Sequence, residues 1–146
     1  MKNLLVLIVI SFIGSLAHSQ KITVRVTEVQ EFMKWGKHDF RKVVVWPDET
    51  KEAYKTDAEY VFDLENKTFT FSTGSRGITS HTIKKIKKSP LYTFNCSFVG
   101  EMNGKMTEIP TTICLNTDAN LMWYTTYDKF FKRTYTLAYK GEITLN

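Results

Sequence analysis

Apolar and polar residues alternate with a period of two through most of this chain, the mark of strands with one buried face. Ile22, Val24 and Val26 alternate with Thr23, Arg25 and Thr27, which predicts a first strand. Residues 41–46 predict a second, apolar on both faces and therefore central, with Val43 and Val45 opposite Val44 and Trp46. Phe69 and Phe71 fall on one face of 68–72, which together with 60–62 flanks the polar segment 63–67, so a hairpin with a short loop is expected. A turn at 73–77 leads to strands at 78–87 and 91–99, and in the latter Tyr92, Phe94, Cys96 and Phe98 share a face. Asn103-Gly104 is the strongest hairpin signal, because a type I′ turn needs positive φ at both central positions. Strands at 111–115, 121–127 and 133–139 bring the total to about nine.

Two stretches fit strands poorly. Val29, Phe32, Met33 and Phe40 stand near helical spacing and predict one or two helical turns interrupted at Gly36. Residues 48–55 follow Pro47 with acids first and lysines later, which predicts a short surface helix. No helical crossover remains to join parallel strands, so the expected fold is all-β and antiparallel, a barrel or a sandwich, with the barrel favoured.

The N-terminus changes the picture of where this domain works. Lys2 precedes a ten-residue apolar run, 4–13, interrupted only by Ser11, and Ala17 and Ser19 supply the small residues of a cleavage site, so 1–19 are expected to be a cleaved signal peptide. A run of this length covers about half of the 20 or so residues that a membrane-spanning helix needs, so no span is expected in the mature chain. Residues 20–146 then form one domain of 127 residues, secreted or periplasmic. Lys2 leaves with the leader, and 19 basic side chains face 15 acidic ones. That mild excess carries no nucleic-acid signal.

Candidate chemistry is sparse. Cys96 and Cys114 are the only cysteines, and export would favour a disulfide between them, worth about 3 kcal/mol. Register bears on this bond. If Asn103-Gly104 closes a two-residue hairpin, paired numbers add to 207, so Cys96 faces Thr111 and Cys114 faces Thr93, and the thiols project from opposite faces. A disulfide therefore requires an irregularity, for which Pro110 is the natural place. His38, beside Asp39, and His81 are the histidines of the mature chain and could serve as acid and base in a small hydrolase, although nothing in their spacing brings them together.

Lys84-Lys85-Ile86-Lys87-Lys88 is the densest charge cluster, suited to an anionic polymer or to guarding a strand edge. On a regular strand Lys85 and Lys87 point one way, and Lys84 and Lys88 the other with Ile86. Trp35, Trp46, Trp123 and Tyr124 could stack on a flat ligand, and Trp35 is the most exposed candidate, being flanked by Lys34, Gly36 and Lys37. Asn66 and Asn95 begin glycosylation sequons. No phosphate loop, dinucleotide fingerprint, zinc spacing, nucleophile elbow or calcium loop occurs, so neither cofactor nor metal is expected. The reading is a non-enzymatic binding protein. The alternatives are the histidine hydrolase and an assembly component pairing through an exposed strand edge with a protein partner.

Overall fold

The computed structural model describes residues 20–43, 46, 48–74, 76–102 and 104–146; the expected signal peptide, 1–19, lies outside them. Eight antiparallel strands follow one another around a closed barrel: β1 (Lys21–Trp35), β2 (Tyr54–Asp63), β3 (Thr68–Thr73), β4 (Arg76–Lys87), β5 (Tyr92–Met102), β6 (Lys105–Asn116), β7 (Leu121–Asp128) and β8 (Arg133–Leu145). The all-β antiparallel expectation holds, as a barrel. Among the described residues there is one strand fewer than expected, and 41–43, the start of the expected second strand, are helical.

Inward-facing residues fill the barrel. Ile22, Phe62, Phe94, Ile113, Leu115 and Met122 are fully buried, and Phe62 stacks on Phe94 at 4.5 Å and on Phe69 at 5.4 Å between ring centres. An eight-stranded barrel is just wide enough for side chains to fill its interior or for one small ligand.

The expected helical turns near Val29 and Phe32 are strand, since β1 runs on to Trp35. The alternation fails there for a physical reason. A bulge between Val26 and Glu28 shifts the register against both β2 and β8, so the buried face changes from even to odd numbers and Val29 joins the interior. Phe32 then lies on the outer wall, which is itself covered. A second small core sits there, made of Phe40, Cys114, Trp123 and Ala138 with Phe32, Trp46, Leu91 and Leu121 against it.

The covering segment also explains the missing strand at 41–46. Phe40–Val43 is a helical turn, α1, with the Lys42 N–H donating to the Asp39 carbonyl, and Phe40 rests 6.3 Å from the Trp123 ring. Val44, Val45 and Pro47 lie outside the described residues. Phe40 and Trp46, which bracket this stretch, pack on the outside of the wall. Residues 48–51 form a turn in place of the expected surface helix: the Thr50 N–H donates to Asp48 Oδ1 at 3.0 Å and the Lys51 N–H to the Asp48 carbonyl. Gln30, buried on the outer face of β1, holds this turn by donating to the carbonyls of Asp48 and Lys51 and accepting from the Asp48 N–H. Buried amides need such partners.

β5 and β6 pair without interruption from Tyr92↔Leu115 to Met102↔Lys105, including Ser97↔Pro110. Paired numbers add to 207 throughout. Cys96 therefore faces Thr111 from inside the barrel, whereas Cys114 faces Thr93 from the outer core, and no disulfide joins them. The expected disulfide is absent, because a regular hairpin sends the two sulfurs to opposite faces of the wall.

Candidate functional site

Pro110 marks the edge of an opening. The β6–β7 ladder runs from Asn116↔Leu121 up to Thr111↔Thr126 and stops where Pro110 would face Tyr127. In a two-residue hairpin the flanking pair is hydrogen-bonded and pairs then alternate, which makes Ser97↔Pro110 a non-bonded pair. The nitrogen of Pro110 thus points toward β7, and its missing N–H ends that ladder while leaving the one with β5 intact. On the other flank, β4 and β5 pair only from Lys87↔Thr93 to Ile83↔Cys96. Among the described residues, the upper part of the β5–β6 hairpin, 97–102 with 105–110, has no ladder partner on either outer side.

Between the β6 edge and the β7–β8 turn lies a cleft of about 970 Å³. Thr107, Ile109, Thr126 and Tyr135 form its inner wall, and Lys105, Asp128, Lys129, Phe130 and Arg133 its rim. The turn is held by Asp128, whose Oδ1 accepts from the N–H groups of Phe130 (2.9 Å) and Phe131 (3.0 Å), while Oδ2 lies 3.7 Å from Arg133 Nε. The Arg133 guanidinium covers the Phe131 ring at 4.7 Å. Phe130 is thereby presented to solvent, 63% exposed.

Below the cleft the barrel interior carries phenols. Tyr60 and Tyr139 share a hydroxyl-to-hydroxyl hydrogen bond of 3.2 Å, Tyr124 bonds to Thr111, and Tyr135 donates to Glu31. Burial raises all of them, Tyr124 and Tyr135 to about 12, the latter helped by the Glu31 carboxylate. They remain protonated donors at neutral pH. Burial likewise pushes the Cys96 thiol up to about 11, so it is not a thiolate nucleophile.

The histidines are not brought together. His38 is exposed outside the barrel, where its N–H donates to Thr134 Oγ1 at 3.1 Å and its Nε2 is hydrogen-bonded to the Trp35 carbonyl. His81 is on β4, its ring 5.1 Å from Phe69 and 4.4 Å from Phe98. Burial lowers its pKa below the usual 6.5. The unfolded chain therefore binds the proton first as pH falls, and stability is expected to drop below about pH 6.5. Melting temperatures measured between about pH 7.5 and about pH 5.5 should fall more for the native chain than for His81→Gln. Equal falls would show that His81 does not carry the effect.

Trp35 is exposed as expected, at 69%, on the barrel rim. It does not join Trp46 and Trp123, which belong to the outer core, or Tyr124, which belongs to the interior, so no shared stacking platform forms. The lysine cluster differs from a regular strand. A bulge between Ile83 and Lys85 leaves Ile83 and Ile86 both packed in the core, so Lys84, Lys85 and Lys87 all face outward. Lys84 pairs with Glu108 and Lys88 donates to Gln20 Oε1 at 3.1 Å. This half of β4 extends past Thr68↔Thr82, the end of its ladder with β3, and among the described residues no strand pairs with it on that side. Asn66 lies in the exposed β2–β3 turn, and Asn95 is exposed on β5.

The cleft residues Lys105, Ile109, Asp128, Phe130, Arg133 and Tyr135 were not singled out by sequence reasoning. The available signal was Phe130-Phe131 inside the otherwise polar run from Asp128 to Arg133: two aromatics in a turn have no strand face to bury them. Among the described residues no group of three or more His, Cys, Asp or Glu is placed to hold a metal, and no helix is long and apolar enough to cross a membrane. Compared with known proteins, the chain matches no family model, no curated protein and no solved structure.

Proposed function

We propose that residues 20–146 form an exported, non-enzymatic binding protein whose site is the cleft at the barrel mouth. The observation that carries this reading is the cleft itself, about 970 Å³, with an inner wall of Ile109, Thr126 and Tyr135 and a charged rim. Ligand sites are concave and mostly apolar with a few placed polar groups, and the mouths of β-barrels are a common location. Export rests on the leader pattern at 1–19. The absence of enzymatic chemistry is supported by the state of the candidate groups: His38 and His81 use different partners in different places, and Cys96 and the phenols stay protonated.

Native mass spectrometry of protein recovered from its own host tests this. A retained adduct is expected, lost in the variant Ile109→Arg, which would fill the cleft with a charged side chain. An adduct that survives in Ile109→Arg places the ligand elsewhere and overturns the assignment.

A further inference from the structure

We infer that the occupant of the cleft is an extended acidic peptide segment that adds as a strand to the free edge of β6. This rests on the cleft being the binding site and names what fills it. Three observations carry it. The first is the backbone. With Met102↔Lys105 as the hydrogen-bonded pair next to the turn, 105, 107 and 109 direct their N–H and C=O groups to β5. The N–H and C=O of Met106 and Glu108, and the C=O of Pro110, therefore point away from β5 on the side where the β7 ladder has ended. A strand edge bordering a groove is the geometry of recognition by strand addition.

The second observation is the alternation of the wall. Thr107 and Ile109 face the inner side together with Thr126 and Tyr135 across the cleft. Every second side chain of an added strand would point at this surface, which suits an apolar or aromatic residue. The alternate residues would remain in solvent.

The third is charge. Of the charged groups around the cleft, Asp128 is paired with Arg133 and Glu108 with Lys84. Lys105 and Lys129 make no ion pair among the described residues. Both stand at the upper end, where the hairpin tip faces the β7–β8 turn. A carboxylate at the end of the bound segment completes them, whereas a basic segment would be repelled.

The test uses the mature chain and the blocked hexapeptide Glu-Thr-Phe-Thr-Val-Glu, which carries a carboxylate at each end so that either strand direction brings one to the lysines. Amide exchange is followed at Met106 and Glu108 by NMR, with the chemical shifts of Ile109 and Tyr135 read alongside. The peptide is expected to slow exchange at both amides. N-methylating one alternate set of its amides should weaken binding by about tenfold or more, the loss of two or three main-chain hydrogen bonds. The double substitution Lys105→Gln with Lys129→Gln, both on exposed residues, should weaken it several-fold and flatten its salt dependence. Shifts at Ile109 and Tyr135 without protection of Met106 and Glu108, or binding indifferent to N-methylation of either set, would overturn strand addition.

Sodium decanoate, a small amphiphile, separates the two readings. If it moves Ile109 and Tyr135 while the peptide does not, the cleft binds ligands but not strands, and only the present inference fails. If neither probe moves them, both readings fail.

Discussion

Gly141→Ala is expected to destabilise the barrel by about 3 kcal/mol or more, a large fraction of the stability of a domain this size. A Cβ at position 141 would stand 1.9 Å from the Arg25 carbonyl oxygen, 2.7 Å from its carbon and 2.8 Å from the Val26 Cα. All three are backbone atoms, so no rotamer change relieves the clash. The close approach has a local cause. Val26 pairs with Gly141 just before the β1 bulge, where Glu28 takes the next pair with Lys140, and the extra residue presses the bulged strand toward β8. Urea unfolding of the variant would measure the loss. A change below about 0.5 kcal/mol, the usual range for surface substitutions, would mean that β1 and β8 do not approach this closely in solution.

The other large effect is expected at Phe62. Truncation to Ala should cost about 3–5 kcal/mol, because the ring is fully buried and the cavity left between Phe69 and Phe94 has no flexible neighbour to fill it. Phe130→Ala is the matched control. The same atoms are removed from a ring that is 63% exposed, so stability should change by no more than about 0.5 kcal/mol. Urea unfolding of the pair separates core aromatics from the cleft aromatic. Comparable losses in both would mean that Phe130 is part of the core.

The hairpins were legible because each rested on local chemistry. The polar loop between β2 and β3, the step from β3 into β4 and the β5–β6 hairpin all appear where alternation and turn residues placed them, and Gly104 has the positive φ, 74°, that a type I′ turn requires. The register sum of 207 was legible too, and it argued against the disulfide. Compartment chemistry favoured the bond, but compartment says nothing about which face a sulfur occupies.

What could not be read depends on contacts between distant segments. The two bulges leave no clear mark in composition, yet each moves side chains across the wall: Val29 into the interior, Lys84 out of it. The apolar stretch at 41–46 looked like a central strand, yet 41–43 lie in a helical turn and Trp46 packs in the outer core; burial on the outside of a wall and burial within a sheet demand the same kind of residue. Pro110 was read as the place for a bulge in the β5–β6 hairpin, but that hairpin runs regularly through it; Pro110 instead stands where the ladder with β7 ends, which follows from hydrogen-bond parity and from β7 lying next to it. The cleft is assembled from β6, β7 and β8, so no single stretch of sequence contains it.

The order of the strands has a kinetic consequence. Seven of the eight ladders join neighbours along the chain, whereas the β1–β8 ladder pairs Ile22 with Leu145 and Trp35 with Arg133, residues about a hundred or more apart in the sequence. Loop closure costs entropy that rises with the logarithm of loop length, and contacts of long sequence separation slow folding. A ribosome delivers β8 last, so during synthesis β1 waits with one edge open while the meander from β2 to β7 can already pair. The seam that makes the sheet a barrel is therefore the step on which the rest of the wall depends, and the nascent chain is most prone to wrong pairing until that seam closes.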